Sequence, residues 1–122
     1  MKSKPSRSIV LEPRFRIRIG EDIAIGPGKA CLLRLVQETG SISEAARRMQ
    51  MSYMRAWSLI RTMNTCFCEP VITTERGGEG RGGAQLTATG KRLLRLYEEL
   101  ESQCLARTKA TSAALAAMLK SG

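Results

Sequence analysis

Apolar positions along this chain shift between two periods, and the shifts mark out its elements. Residues 14–19, RFRIRI, alternate, with Phe15, Ile17 and Ile19 on one side and arginines on the other. That is the pattern of a half-buried strand. Its arginines either track a phosphate backbone or form a solvated outer face. Ile23 and Ile25 end this section, and Gly26-Pro27-Gly28 breaks it. From Pro27 to about Glu38 the spacing becomes helical, with Leu32, Leu35 and Val36 as the buried stripe. Pro27 suits the first turn and Gly40 a left-handed C-terminal stop. Ser41 or Ser43 caps the next helix, whose Ala45, Ala46 and Met49 face inward. Gln50-Met51 forms a turn. Ser52 then caps a longer helix reaching about Phe67, with Ala56, Leu59, Ile60, Met63 and Phe67 inward.

Past Pro70 the chain turns β-prone over Val71–Glu75. The glycine string GGEGRGG at 77–83 follows, and Ala84-Gln85-Leu86 makes a short return strand. Together they predict a β-hairpin with a long tip. From Thr87 or Thr89 onward the sequence is helical again. Leu93, Tyr97, Leu100 and Cys104 recur at the spacing of a seam that packs on a partner helix. The alanine-rich tail at 110–119 continues it, with Leu115 and Met118 or Leu119 apolar. Residues 1–13, interrupted by Pro5 and Pro13, read as a loose basic arm. The expected organisation is an arm over 1–13, a domain over 14–87 and a C-terminal helix over 88–122. No internal repeat is present.

The stretch GSISEAARRMQMSYMRAWSLIRTMN at 40–64 is where this pattern acquires a function. Two short helices joined by a tight turn, the second opening on a serine cap, present a recognition helix to the DNA major groove. The hairpin then falls where a wing would sit. The predicted fold class is mainly α with a small β wing: a winged helix-turn-helix with a long C-terminal dimerisation helix. On the recognition helix, residues 52–67, Ser52, Tyr53, Met54 and Arg55 should reach base edges, with Ser58 one turn on. Arg55 suits a bidentate fork onto guanine, worth about 1–3 kcal/mol of discrimination. Tyr53 offers a hydroxyl to phosphate or a ring edge to a thymine methyl. Trp57 reads as a packing anchor ahead of a base reader. Arg47, Arg48 and Arg61 suit phosphate neutralisation, against a solvated helix face. In the wing, Arg76 and Arg81 flank or interrupt glycines that let backbone approach DNA, and an arginine there can enter the minor groove. The competing reading is a loose hairpin with incidental charge.

Charge agrees with this picture. Lys and Arg number 20 against 11 Asp and Glu, a net charge of +9. Such a balance points first to nucleic acid and second to an anionic membrane surface. No apolar run approaches a spanning helix, and no signal-peptide pattern is seen, so the expectation is a cytoplasmic protein without membrane partners. The four cysteines, Cys31, Cys66, Cys68 and Cys104, are then expected free. Cys66 and Cys68 form C-x-C rather than C-x-x-C, and the chain has no histidine, so buried structural cysteine leads over metal or redox sensing. No cofactor or metal is expected. Without histidine no Ser-His or Cys-His nucleophile can form, and Glu98, Glu99 and Glu101 read as a solvated helix face. Residues 78–83 fit G-x-G-x-x-G, but no helix opens at the third glycine and no dinucleotide-binding unit fits. The chain is not read as an enzyme.

Over roughly residues 14–97 the sequence resembles the N-terminal DNA-binding domain of the molybdate-responsive ModE regulators, itself similar to the LysR-type winged helix. The resemblance rests on GPGKACLLRLVQETGSISEAARRMQMSYMRAW, on MN at 63–64 and on EPVITTERGGEGRGGAQLTATGKRLL. It implies a dimeric transcription factor on a two-fold-related operator. In full-length members a molybdate-binding pair of oligonucleotide-fold-like domains follows the winged helix. The expectation is that this chain has no room for them, so the molybdate site is not carried over and a separate effector-binding protein is one route to regulation. A further departure is Met54, where the family usually has lysine. The partners expected are therefore double-stranded DNA and a second copy of the chain (Leu93, Tyr97, Leu100 and Cys104 at the interface). The alternatives are a non-specific DNA-binding protein and a winged helix used for protein interaction.

Overall fold

The computed structural model describes residues 8–76 and 82–120. Its elements run β1 (Ile17–Ile19), β2 (Asp22–Ile25), α1 (Pro27–Thr39), α2 (Ile42–Arg48), α3 (Tyr53–Cys66), β3 (Ile72–Arg76), β4 (Gly82–Leu86), α4 (Ala88–Arg107) and α5 (Lys109–Ala116). Among the described residues these make five helices and two small antiparallel sheets, β1–β2 and β3–β4. No described helix is long and apolar enough to cross a membrane.

Helix α1 is the centre of the packing. It contacts α2, α3, β2, β4 and α4, so two of its flanks are covered instead of one stripe. Ala30, Leu32, Leu33 and Val36 are buried on it, while Leu35, expected in the stripe, is only half-buried. Pro27 occupies its first turn, and Gly40 ends it at φ +69 with its N–H donated to the Val36 carbonyl at 2.8 Å. Ile25, Val71, Ile60 and Met63 complete the set of largest fully buried side chains, and no polar or charged described residue is buried among them.

Three residues pin the second half of the chain to this core. The Asn64 carboxamide accepts the Val71 N–H at 2.8 Å and reaches the Ile72 carbonyl at 3.5 Å. The Val71 carbonyl accepts the Thr87 N–H at 3.0 Å, and the Thr87 hydroxyl donates to the Pro70 carbonyl at 2.7 Å. Thr87 also caps α4, accepting the Gly90 N–H at 2.9 Å. Gly90 lies so close that a Cβ there would stand 2.0 Å from the Val71 carbonyl oxygen. Only glycine allows α4 to approach the start of β3 this closely.

Several expectations need correction. The strand expected over 14–19 is three residues long and pairs with β2 around Gly20, at φ +59. Ile17 and Ile19 are 50% and 57% exposed, because this two-stranded ribbon sits at the margin and β2 supplies the core residues Ala24 and Ile25. Phe15 is half-buried, and its carbonyl accepts the Tyr97 hydroxyl at 2.8 Å. Met49 faces inward as expected, packed half-buried against the core at the C-cap of α2, and Ile42, not foreseen, is buried at the other end. Helix α3 ends at Cys66 with Phe67 as its C-cap. The return strand begins earlier than expected, at Gly82, in register with Arg76. The C-terminal helix divides at Thr108, whose hydroxyl bonds back to the Cys104 carbonyl at 2.6 Å. Along α4 the expected partner seam is split: Tyr97 is buried in the chain's own core beside Leu94, Leu93 is half-buried against it, and Leu100 is exposed. The cysteines are free, but none is fully buried: Cys31, Cys66 and Cys104 are half-buried and Cys68 exposed.

The Gly90 contact gives a direct test. Gly90→Ala drives a methyl into backbone that cannot yield, so it should cost about 3 kcal/mol of stability, the upper range for overpacking. Urea unfolding measures this, and a midpoint equal to wild type would refute the close approach.

Candidate nucleic-acid interface

Local chemistry builds the α2–α3 unit. The Ser41 hydroxyl accepts the Glu44 N–H at 3.1 Å and the Ser52 hydroxyl accepts the Arg55 N–H at 3.1 Å, so each helix opens on a capped first turn. Between them Gln50 takes a left-handed conformation at φ 57. The Met51 N–H returns to the Ala46 carbonyl at 3.0 Å, which keeps the turn short. The Ser52 hydroxyl accepts one bond in capping, which leaves its O–H and a second lone pair to be offered outward.

Helix α3 has two distinct faces. Ala56, Ile60 and Met63 point into the core with no exposed surface. Met54, Ser58 and Arg61, at spacings of four and three, form the outward line, and Met54 is 76% exposed. Arg55 is exposed on one flank. On the other flank Tyr53, 47% exposed, meets the half-buried Trp57 edge to face, with ring centroids 6.3 Å apart at 83°. Trp57 packs against the core, consistent with its expected anchor role.

Two hollows border this helix. A cleft of about 190 Å³ lies between the start of α2 (Ser41, Ser43), the Tyr53–Trp57 pair and the hairpin (Thr74, Glu75, Gly83). A shallower hollow of about 310 Å³ runs over Met54, Trp57, Ser58 and Arg61. The hairpin is fixed beside the α2–α3 unit by the Ala84 N–H, which donates to the Gly40 carbonyl at 2.9 Å in the α1–α2 turn. Arg76 ends β3 opposite Gly82, and Arg81 lies outside the described residues. The structure thus brings Ser52, Tyr53, Met54, Arg55, Ser58 and Arg61 onto one exposed helix surface.

The arginines of α2 are differently placed. Arg47 grips the Glu44 carboxylate through two nitrogens, Nε at 3.1 Å. Arg48 lies 3.5 Å from Glu44 and 3.7 Å from Glu38. Among the described residues Arg55 and Arg61 form no ion pair. Sequence reasoning missed Glu44, although its spacing of three and four from two arginines on a helix is a legible signal. It also missed Ser43 and Thr74, which are far apart in the chain and meet only through the fold. Among the described residues no three metal-ligating side chains come together.

Comparison with known proteins places the chain among relatives named as regulators. No family model matches it. Over 84 residues it is 39% identical to "Transcriptional regulator ModE" of Yersinia pestis, a match covering 69% of the chain and 32% of that protein. Over 97 residues it is 38% identical to "Molybdenum-pterin-binding protein MopB" of Rhodobacter capsulatus, covering 80% and 33%. "DNA-binding transcriptional dual regulator ModE" of Escherichia coli K12 matches at 34% over 84 residues, covering 69% and 32%. The chain thus spans about a third of the length of the curated relatives it matches. The similarity fits a ModE-family protein, and these relatives carry the names of regulators or molybdenum-binding proteins, not of enzymes.

The Arg47 hydrogen bond, with its charge and that of Arg48, holds the Glu44 carboxyl below the ordinary glutamate value. The charged pairing is therefore intact above the usual glutamate range and is released only as pH falls through the lowered value. A carboxyl NMR titration should find Glu44 titrating below the ordinary glutamate value. Arg47→Met should move that midpoint upward, and an unmoved midpoint would show that the grip is absent in solution.

Proposed function

We propose that this chain is a sequence-specific DNA-binding transcriptional regulator of winged helix-turn-helix type, acting as a homodimer in molybdenum-related gene control. The observation that carries the reading is the exposed first half of α3. It joins a buried apolar face to an outward face of Tyr53, Met54, Arg55, Ser58 and Arg61, with the β3–β4 hairpin fixed alongside. A helix so presented suits the major groove. The relatives named as DNA-binding or transcriptional regulators support it.

In this reading α3 enters the groove. Arg55 forks onto a guanine edge, while Ser52 and Ser58 offer hydroxyls and Tyr53 its phenol. Arg61 neutralises phosphate, and the cleft between Ser43, Tyr53 and Thr74 receives the sugar–phosphate strand that passes between helix and hairpin. Arg76 and Arg81 bring the wing onto backbone or minor groove. Arg47 and Arg48 reach phosphate by exchanging Glu44 for it, a low-cost exchange because solvent screens exposed ion pairs. The partner seam on α4 centres on exposed Leu96 and Leu100, with half-buried Leu93 and Cys104 at its ends and Tyr97 turned inward.

In-vitro selection of bound DNA at near-physiological salt tests the reading. An enriched inverted repeat is expected. Binding without an enriched motif would favour a non-specific DNA-binding protein, and no binding would favour a protein-interaction module. Within the selected site, Arg55→Ala should lose discrimination at one position per half-site by about 1–3 kcal/mol, and an unchanged preference would remove Arg55 from base contact. Leu96→Asp with Leu100→Asp should give monomers in analytical ultracentrifugation, since two charges would face an apolar seam. A persisting dimer would place the interface elsewhere.

A further inference from the structure

We propose that Met54 reads the C5-methyl group of a pyrimidine in the major groove, a specificity contact that rests on the placement of α3 in that groove. Met54 is the most exposed apolar side chain of α3, at 76%, and it stands in the first turn, where a recognition helix meets base edges. It heads the outward line Met54–Ser58–Arg61, and with Trp57 it forms the apolar part of the hollow of about 310 Å³ on that face. Its neighbours Tyr53 and Arg55 and the residues one and two turns on, Ser58 and Arg61, all carry hydrogen-bonding groups. Met54 carries only a thioether, a weak acceptor with no donor to offer a carbonyl or a phosphate.

The major-groove edges of the four base pairs offer hydrogen-bonding atoms throughout, with one apolar feature, the methyl of thymine. An unbranched, polarisable thioether side chain adapts readily to such a group. Covering it on both sides takes an apolar wall, which Met54 and the Trp57 edge of the hollow supply. Ser58 and Arg61, on the same line, bracket that wall with polar groups able to hold the adjoining base and phosphate. The chemistry recognised is a 5-methylpyrimidine edge, supplied by thymine or by 5-methylcytosine.

The test uses the full chain and the DNA site obtained by selection. Each thymine of a half-site is replaced in turn by deoxyuridine, which removes the methyl group and nothing else, and affinity is read by fluorescence anisotropy. One position per half-site should weaken by about 4-fold, the value of a single buried methyl-sized group. Met54→Ala should bind the thymine and deoxyuridine sites equally at that position. Where cytosine occupies the position, its 5-methylation should instead raise affinity by a similar factor, identifying methylcytosine as the source. Specific binding with no methyl dependence at any position overturns the inference and leaves the DNA-binding reading intact. A methyl dependence that survives in Met54→Ala also overturns it, assigning the contact to another side chain. Failure to select any motif removes both.

Discussion

The junction at Val71 holds the structure in register. Its N–H is taken by the Asn64 carboxamide, its carbonyl by the Thr87 N–H, and its backbone lies against a glycine on α4 that leaves no space for a side chain. Three elements therefore meet at one peptide: the end of α3, the start of β3 and the start of α4. Because Val71 is fully buried, neither backbone group can turn to water, and loss of a partner would leave an unsatisfied polar group in the core. The arrangement sets the hairpin at a defined angle to α3. A second tie, from Ala84 to the Gly40 carbonyl, holds the opposite strand to the α1–α2 turn. The hairpin is thus fastened at both strands before its tip begins.

This fastening explains how a small chain can hold a helix face out to a partner. Helix α3 spends Ala56, Ile60 and Met63 on the core and packs on α1, α2 and β2, with Asn64 tied to Val71, while Met54, Arg55, Ser58 and Arg61 stay exposed. The Tyr53–Trp57 pair separates the cleft beside the hairpin from the open face. Along α2 the charge is arranged differently, with Glu44 holding two arginines. Arg55 and Arg61 on α3, by contrast, form no ion pair among the described residues.

Helix α4 serves two demands along one length. Its first half is committed to the core through Gly90, Leu94 and Tyr97, and the Tyr97 hydroxyl reaches back to Phe15, 82 positions earlier. Its second half leaves the body of the domain, exposing Leu100 and Leu105, and α5 buries no residue at all. Apolar periodicity cannot distinguish these halves, since a stripe packed on the core and a stripe left exposed have the same spacing.

Much of the local architecture was legible in the residues. Ser52 as a cap, a serine at 41 or 43 as another, Pro27 as an opening residue and Gly40 as a left-handed stop act within one helical turn, so their meaning does not depend on distant parts of the chain. The inward faces of α2 and α3 and the existence of the hairpin followed from the same short-range logic, as did the set of residues that α3 exposes. What the residues could not disclose were contacts between segments remote in sequence. The exposure of Ile17 and Ile19, the burial of Leu33 on a second flank of α1, the inward turn of Tyr97 and the requirement for glycine at position 90 all depend on which element arrives from elsewhere. Local propensity is a property of neighbours along the chain. Burial is a property of neighbours in space, and only the assembled fold supplies those.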